Sequence, residues 1–377
     1  MSVPNHVISF LKWLMEFPSV TPDDKGLLDQ LKHVFQQEQF QTQRLVFGET
    51  KNLYVRWGQE LPHLCFAGHI DVVPAGSLES WKHDPFQGTQ DGDYFYGRGV
   101  ADMKGAVACY VMALLRFLKT NSFKGSCSIL LTSDEEGPAL DGLQKVLPVL
   151  CEQGQQFSHF LIGEPTGNSL GDVIQIGRRG SVTAQLTCLG TQGHIAYPDL
   201  YNNPIPRLLQ CLQELTGSPL DEGCPFFEPS RLTVTGVVSE CIAENVTPST
   251  AQAFFGVRFN PLHQADKLEE WFQTVCQQHA GQHHLTVRKN GNSFLTQDAE
   301  WIDCLRGAIR TVLKKDPELT TRGGTTDGRF LSCYAPVLEL GMPEGTIHQV
   351  NERILLSDID ALEQVYFEVL RRYFKIL

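Results

Sequence analysis

Glu135 and Glu136 stand side by side in the stretch Leu131-Thr132-Ser133-Asp134-Glu135-Glu136-Gly137, where an apolar run at 128–131 meets a glycine. Neighbouring side chains at a strand end point in different directions. One carboxylate can therefore bind a metal ion while the other faces a reacting water. The pair gains force from its company: His69-Ile70-Asp71, Asp102, Glu164 and His348 each sit in a similar setting. Together they offer enough carboxylate oxygen and imidazole nitrogen for two zinc ions, with cobalt or manganese as substitutes, and leave a glutamate over as a general base. Zinc can lower a bound water's pKa to about 7, so the chemistry that such a set predicts is hydrolysis.

Each residue alone has an ordinary explanation. His69 and Asp71 could be polar residues of a surface loop. Asp71 could also accept the second ring proton of His69 and fix its tautomer. Asp102, in Gly97-Arg98-Gly99-Val100-Ala101-Asp102-Met103-Lys104-Gly105, could be the N-cap of the helix that follows. A bridging aspartate also suits a two-metal site, where the ions lie roughly 3.5–4 Å apart. Glu164 before Pro165 could be a loop carboxylate, and His348 a structural histidine. It is their coincidence at strand ends and glycine-flanked turns that argues for a metal centre. Weaker polar clusters are Arg178-Arg179, Gln192-Gly193-His194 with Tyr197, Arg258, and the loop Gly323-Gly324-Thr325-Thr326-Asp327-Gly328. That loop can hold an anion with backbone N–H groups, but it lacks the ending of a nucleotide-binding P-loop.

The elements around these residues alternate. Residues 53–57, 63–67, 126–131 and 157–162 read as strands, and 103–119 and 143–151 as helices. This predicts an α/β catalytic domain with a mixed sheet covered by helices, its site outside the carboxyl ends of the strands. From 180 the order becomes strand 181–189, helix 204–216, strands 232–238 and 251–258, helix 264–279 and strand 284–288, a ferredoxin-like α+β arrangement. Residues 298–313 and 357–374 read as helices and 336–340 as a strand. The expected division is a discontinuous first domain, 1–179 and 294–377, with 180–293 inserted into it.

At 377 residues two domains are the prior. A net charge of −12 offers no basic stripe and argues against nucleic acid. The apolar run at 106–115 is far shorter than the ~20 residues of a membrane span, and the first helix lacks a basic leader. Eleven cysteines include no C-x-x-C pair, which points away from a cysteine metal site and toward a reduced, cytoplasmic setting.

The chain resembles the two-zinc metallopeptidases and amidohydrolases that include aminoacylase and carboxypeptidase G. Gly68-His69-Ile70-Asp71-Val72-Val73-Pro74 is similar to the family's first metal motif, and the stretches at 97–105, 132–137, 163–166 and 346–352 match the others in order. Arg178-Arg179-Gly180-Ser181, Gln192-Gly193-His194-Ile195-Ala196-Tyr197-Pro198, 323–330 and Thr346-Ile347-His348 are most similar to the family's desuccinylase branch. The resemblance implies that His69 and Glu164 hold one zinc, Glu136 and His348 the other, and that Asp102 bridges them. It implies Asp71 as the orienting residue and Glu135 as the base. Arg178, Ser181, Tyr197, Asn245, Arg258, Gly324 and Thr325 become substrate contacts. It further implies a homodimer built through the inserted domain, with His194 reaching the partner's site, and a small N-acyl amino acid, N-succinyl-LL-2,6-diaminopimelate, as substrate. Glu344 stands where that branch carries an asparagine and is expected to turn away from the acyl group. An acetylornithine deacetylase or related N-acyl-amino-acid hydrolase shares every metal residue and is the alternative. A non-catalytic binding protein on this scaffold would have lost Glu135 or a ligand, and none is lost.

Overall fold

The computed structural model describes residues 6–240 and 243–376. The chain divides into two compact units. The first comprises Met1–Gly177, Thr296–Thr320 and Thr326–Leu377; the second comprises Arg178–Leu295 and Thr321–Thr325. The short segment Thr321–Thr325 belongs with the second unit although it lies far along the chain from it, a grouping that the sequence pattern does not suggest.

In the first unit, strands His63–His69 and Ser126–Thr132 are buried along their whole length. Their nearly unbroken apolar sequence suits parallel strands covered on both faces. His63–His69 runs parallel to Ser126–Thr132 on one side and to His159–Ile162 on the other, and Val337–Glu339 continues the parallel set. Among the described residues the sheet order is Gln41–Phe47, Thr50–Trp57, Ser126–Thr132, His63–His69, His159–Ile162, Val337–Glu339, Val173–Gln175, Glu318–Thr320. The first two strands pair antiparallel, so the sheet is mixed. Helix Gly105–Thr120 packs against the terminal helix Leu356–Tyr373, which in turn packs on Ala299–Leu313. Phe66 anchors the central strand: its ring stacks on Tyr110 at 4.2 Å and meets the edge of Tyr366 at 5.8 Å. The N-terminal helix Val7–Met15 buries Val7, Phe10, Leu11 and Leu14, the face its 3.6-residue period defines.

The second unit has the strand order Arg231–Ser239, Thr250–Phe259, Gly180–Leu189, His283–Gly291, antiparallel throughout. Helices Ile205–Thr216 and Ala265–His279 cover one face, where Val182, Leu186, Phe255, Val257, Leu208 and Phe272 form a closed core. Residues between these in the strands, such as Thr183, Phe254 and Arg258, are exposed on the other face. The chain is therefore an α/β unit carrying an inserted ferredoxin-like one. No helix among the described residues is long and apolar enough to cross a membrane.

Candidate metal centre

The carboxyl ends of adjacent parallel strands bring the candidate ligands together in the first unit. His69 closes one strand, Glu135 and Glu136 follow the next, Glu164 follows the third, and the segment carrying His348 follows Val337–Glu339. Asp102 lies between the two histidines. His69 Nε2 is 3.2 Å from Asp102 Oδ1, and His348 Nε2 is 3.2 Å from Asp102 Oδ2. Glu164 Oε1 is 3.7 Å from the His69 ring, and Glu136 Oε1 is 2.9 Å from His348. Each oxygen of one carboxylate thus faces a different imidazole, with a further glutamate beside each ring. Glu135 falls close to the His69–Glu164 side, its ligand atom within 4.8 Å of both.

A cation fits this geometry better than the protein alone does. His69 Nδ1 is 2.8 Å from the backbone carbonyl of Asp71. A carbonyl oxygen only accepts, so Nδ1 keeps a proton and the neutral ring turns its bare Nε2 toward Asp102. Both His69 Nε2 and Asp102 Oδ1 are buried without a hydrogen-bond partner. Two electron-rich buried atoms facing each other require a cation between them. Without a metal, protons do that work. Burial alone would lower the His69 ring, but the Asp102 contact and the charges of Glu164 and Asp71 hold it well above its ordinary value. Contacts with Asp102 and Glu136 raise His348 to about 10. Burial pushes Glu164 well up, and repulsion from Glu135 and Asp102 adds to it. Metal binding would displace these protons.

Glu135 is half-buried, and desolvation pushes its carboxyl up to about 8, with Asp327 and Glu136 adding repulsion against the attraction of His69. Asp327 is itself buried, and burial raises it to about 6. Asp71 does more than touch His69. Its carboxylate is 3.6 Å from the ring but accepts the backbone N–H groups of Glu135 and Glu136, at 3.2 and 3.1 Å. The expected carboxylate–ring hydrogen bond is thus made by the Asp71 carbonyl instead. Asp134 fixes the other side of the turn, accepting from Ala139, Leu140 and Asp141.

Asp102 does not cap a helix. Its φ of −120° and ψ of 90° interrupt the turn Val100–Lys104, and the regular helix begins at Gly105. Glu352 holds it there. One Glu352 oxygen accepts from Arg98 Nη1 at 2.7 Å and Gly99 N at 2.9 Å, and the other from Ala101 N at 2.9 Å and Asp102 N at 3.2 Å. Glu352 and His348 share one polar loop, so a single fully buried glutamate joins the Asp102 turn to the loop of His348. The sequence reading passes over Glu352 because its partners lie about 250 positions away. The only local signal is a glutamate ending the His348 motif and an arginine in the Asp102 motif.

The expected substrate contacts fall in the second unit, where they form small groups. Arg178 Nη1 donates to the carbonyl oxygens of Arg322 and Gly324, the latter next to Thr325. Ser181 lies directly opposite Arg258 in the sheet. His194 Nε2 is 3.4 Å from Asn245 Nδ2, and its ring is 5.6 Å from that of Tyr197. Ala196 N–H donates to His194 Nδ1, so both ring nitrogens have neighbours in the inserted unit.

Residues 65–372 match peptidase family M20/M25/M40. The chain is 44% identical to the succinyl-diaminopimelate desuccinylases of Maricaulis maris and Gluconobacter oxydans, covering 96% of this chain and 94% of the first, and 98% of this chain and 98% of the second. An M20 family metallo-carboxypeptidase from Sulfolobus solfataricus has the same fold, with a TM-score of 0.81 at 16% identity over 98% of this chain and 100% of that one. A dinuclear metal-binding M20 peptidase from Bacillus subtilis aligns with a TM-score of 0.71 at 13% identity, over 98% of both chains. The chain belongs to peptidase family M20/M25/M40.

Proposed function

We propose that this protein is a metal-dependent amidohydrolase that cleaves N-succinyl-LL-2,6-diaminopimelate to succinate and LL-diaminopimelate, within lysine and diaminopimelate biosynthesis. The observation that carries the chemistry is Asp102 set between His69 and His348, each flanked by a glutamate. The acyl group follows from relatives that match nearly the whole chain at 39–44% identity and carry the desuccinylase name. His69, Asp102 and Glu164 would hold one zinc, and His348, Asp102 and Glu136 the other. Zinc bound there acidifies water and polarises the amide carbonyl.

Glu135 takes the proton released as water oxygen bonds to the acyl carbon. The C–N bond then breaks, and the same proton passes to the departing amine nitrogen. Asp71 aims Glu135 by holding its backbone N–H. His194 supplies an N–H for the developing oxyanion from a second subunit. That reading is supported by exposed Ile195, Tyr197 and Leu200 around it, apolar surface that a partner copy would cover. The same arrangement makes the inserted unit the dimerisation unit and the enzyme a homodimer, working in the cytoplasm. Arg178, Ser181, Asn245, Arg258, Gly324 and Thr325 would bind the remaining polar groups of the substrate.

Glu344 is exposed, and its backbone N–H is committed to the Gly167 carbonyl, which supports the expectation that its charge faces water. The test is a panel of zinc-loaded assays. kcat/KM is expected to be higher for N-succinyl-diaminopimelate than for N-acetylornithine, with little change in Glu344→Asn. A preference for the acetylated compound, or a large gain in desuccinylation in the variant, overturns the acyl assignment.

A further inference from the structure

His194 stands on a loop that buries little of itself: residues 194–200 are all exposed. A segment with so few buried apolar contacts opens easily unless hydrogen bonds hold it. The loop is closed at its neck, where Thr191 and Asn202 exchange both backbone hydrogen bonds, at 2.9 and 3.0 Å. Arg207, in the first turn of helix Ile205–Thr216, spans that neck. Its Nη2 donates to the Leu189 carbonyl and its Nη1 to Asn202 Oδ1, each at 2.6 Å. One planar guanidinium thus ties the segment that enters the loop to the segment that leaves it, using donors whose geometry is fixed in a rigid fork. Gly281 lets that group lie close. A Cβ at 281 would stand 3.3 Å from Arg207 Cδ and Nε, tighter than an ordinary contact.

Beyond the neck the loop is held by a very short ribbon. Gly193–His194 pairs antiparallel with Val246–Thr247. The buried Thr247 hydroxyl accepts from Gly193 N–H at 3.1 Å and donates to the Gly193 carbonyl at 3.2 Å, and Ile195 N–H donates to the Asn245 carbonyl at 3.1 Å. Two-stranded pairing of this size is marginal in water. Closing the neck shortens the free chain around it and lowers the entropy lost in forming the ribbon. The position of the imidazole therefore depends on the clasp as well as on the ribbon.

We propose that Arg207 is a positioning residue for His194: by clasping the neck of this loop it holds the imidazole ready to donate to the oxyanion. Its partners are a carbonyl and an exposed amide at the loop's two ends, so its loss should loosen the loop while the sheet and helices of the second unit stay in place. Arg207 belongs to the second unit and the metal ligands to the first, so zinc binding should not change. The effect on turnover rests on the reading of His194 as the oxyanion donor.

The test compares zinc-loaded wild type with Arg207→Ala, Arg207→Lys and His194→Ala. Amide hydrogen exchange is followed by mass spectrometry on peptides covering 190–202 and the rest of the second unit, alongside turnover of N-succinyl-diaminopimelate. In Arg207→Ala, exchange in 190–202 is expected to rise about tenfold or more with the other peptides unchanged. kcat is expected to fall about tenfold or more, with KM and zinc content little changed, because a transition-state donor is misplaced. Arg207→Lys should recover part of both, since an ammonium can keep one of the two bonds. Heterodimers of Arg207→Ala with Glu135→Gln should regain activity, and those with His194→Ala should not. Exchange in 190–202 within about twofold of wild type, or a rise spread through the whole unit, overturns the proposal. So does a loosened loop with normal kcat when His194→Ala is slow. If His194→Ala also turns over normally, the catalytic reading of His194 fails and the clasp itself stands.

Discussion

Replacing Glu352 by alanine should damage the metal centre from a position that touches no metal ligand side chain. Glu352 is fully buried and pairs with Arg98, which is 2% exposed. It also accepts three backbone N–H groups of the turn that carries Asp102. Removing it leaves a buried guanidinium without its carboxylate, a change that costs about 3–5 kcal/mol. Hydrogen bonds to a charged group are worth about 1.5–3 kcal/mol each, but they share one acceptor here and do not add. The packing of Arg98 over the Trp81 ring, 5.1 Å from its centroid, survives and offsets a little of the loss. We therefore expect about 4 kcal/mol of destabilisation in urea unfolding, and weaker zinc binding in the folded protein because Asp102 loses its fixed orientation. Glu352→Gln should recover part of the stability, since it restores one acceptor but not the charge. A loss below about 1 kcal/mol, or unchanged zinc affinity in the alanine variant, would refute the claim that this glutamate positions the bridging residue.

Glu135→Gln should keep its metal and its fold while kcat falls by about 10²-fold or more, because shape is retained and the basic oxygen is lost; near-normal kcat excludes Glu135 as the base. Gly341→Ala should cost about 1–3 kcal/mol and weaken zinc binding, because a Cβ at 341 collides with the backbone oxygens of Gly163 and Glu164; a variant with wild-type stability and metal content contradicts this. His63 gives a pH dependence away from the metal centre. Its ring lies between the Gln156 carbonyl and the Ser128 hydroxyl, and burial lowers it from 6.5 to about 4. The folded pKa is below the unfolded one, so the stability it contributes is full above about pH 6.5 and is lost as pH falls toward 4. The loss should reach about 3 kcal/mol across that window in urea unfolding, and an equal pH slope in His63→Gln would count against it.

Much of this fold is legible because both kinds of period are clean. The central strands read as short apolar runs and the inserted unit as alternating ones, so the two architectures separate near residue 180. The edge strand Gln41–Phe47 escapes that reading because its first four residues are polar and only Leu45 is buried. The helix Leu27–Gln37 has a clear apolar face, Leu27, Leu28, Leu31, Val34 and Phe35, yet the alternation is recognised only from residue 53. Strand order is not in the pattern at all. Ser126–Thr132 pairs between Thr50–Trp57 and His63–His69, and nothing local specifies that.

The ligand-type residues of the centre are legible for a different reason. Imidazole and carboxylate are common metal-ligand types, and loops at strand ends place them, so type and position coincide. What supports them is set by long-range contacts. The Asp71 carboxylate on the Glu135–Glu136 turn and Glu352 on the Asp102 turn join segments about 65 and 250 residues apart. His348 adopts a left-handed backbone with φ of 58°, as does Asn351 at 62°, and no sequence pattern predicts a histidine there. Thr346 bonds to both backbone groups of Arg353 and closes the loop that imposes it.

The proposed chemistry needs one carboxylate, Asp102, to serve two metal sites. Anomalous diffraction at the zinc edge, on crystals of the zinc-loaded protein, tests this directly. We predict two peaks, one beside each oxygen of Asp102, about 3.5–4 Å apart, with one bounded by His69 and Glu164 and the other by His348 and Glu136. A single peak in fully active protein, or two peaks that do not share Asp102, would contradict it.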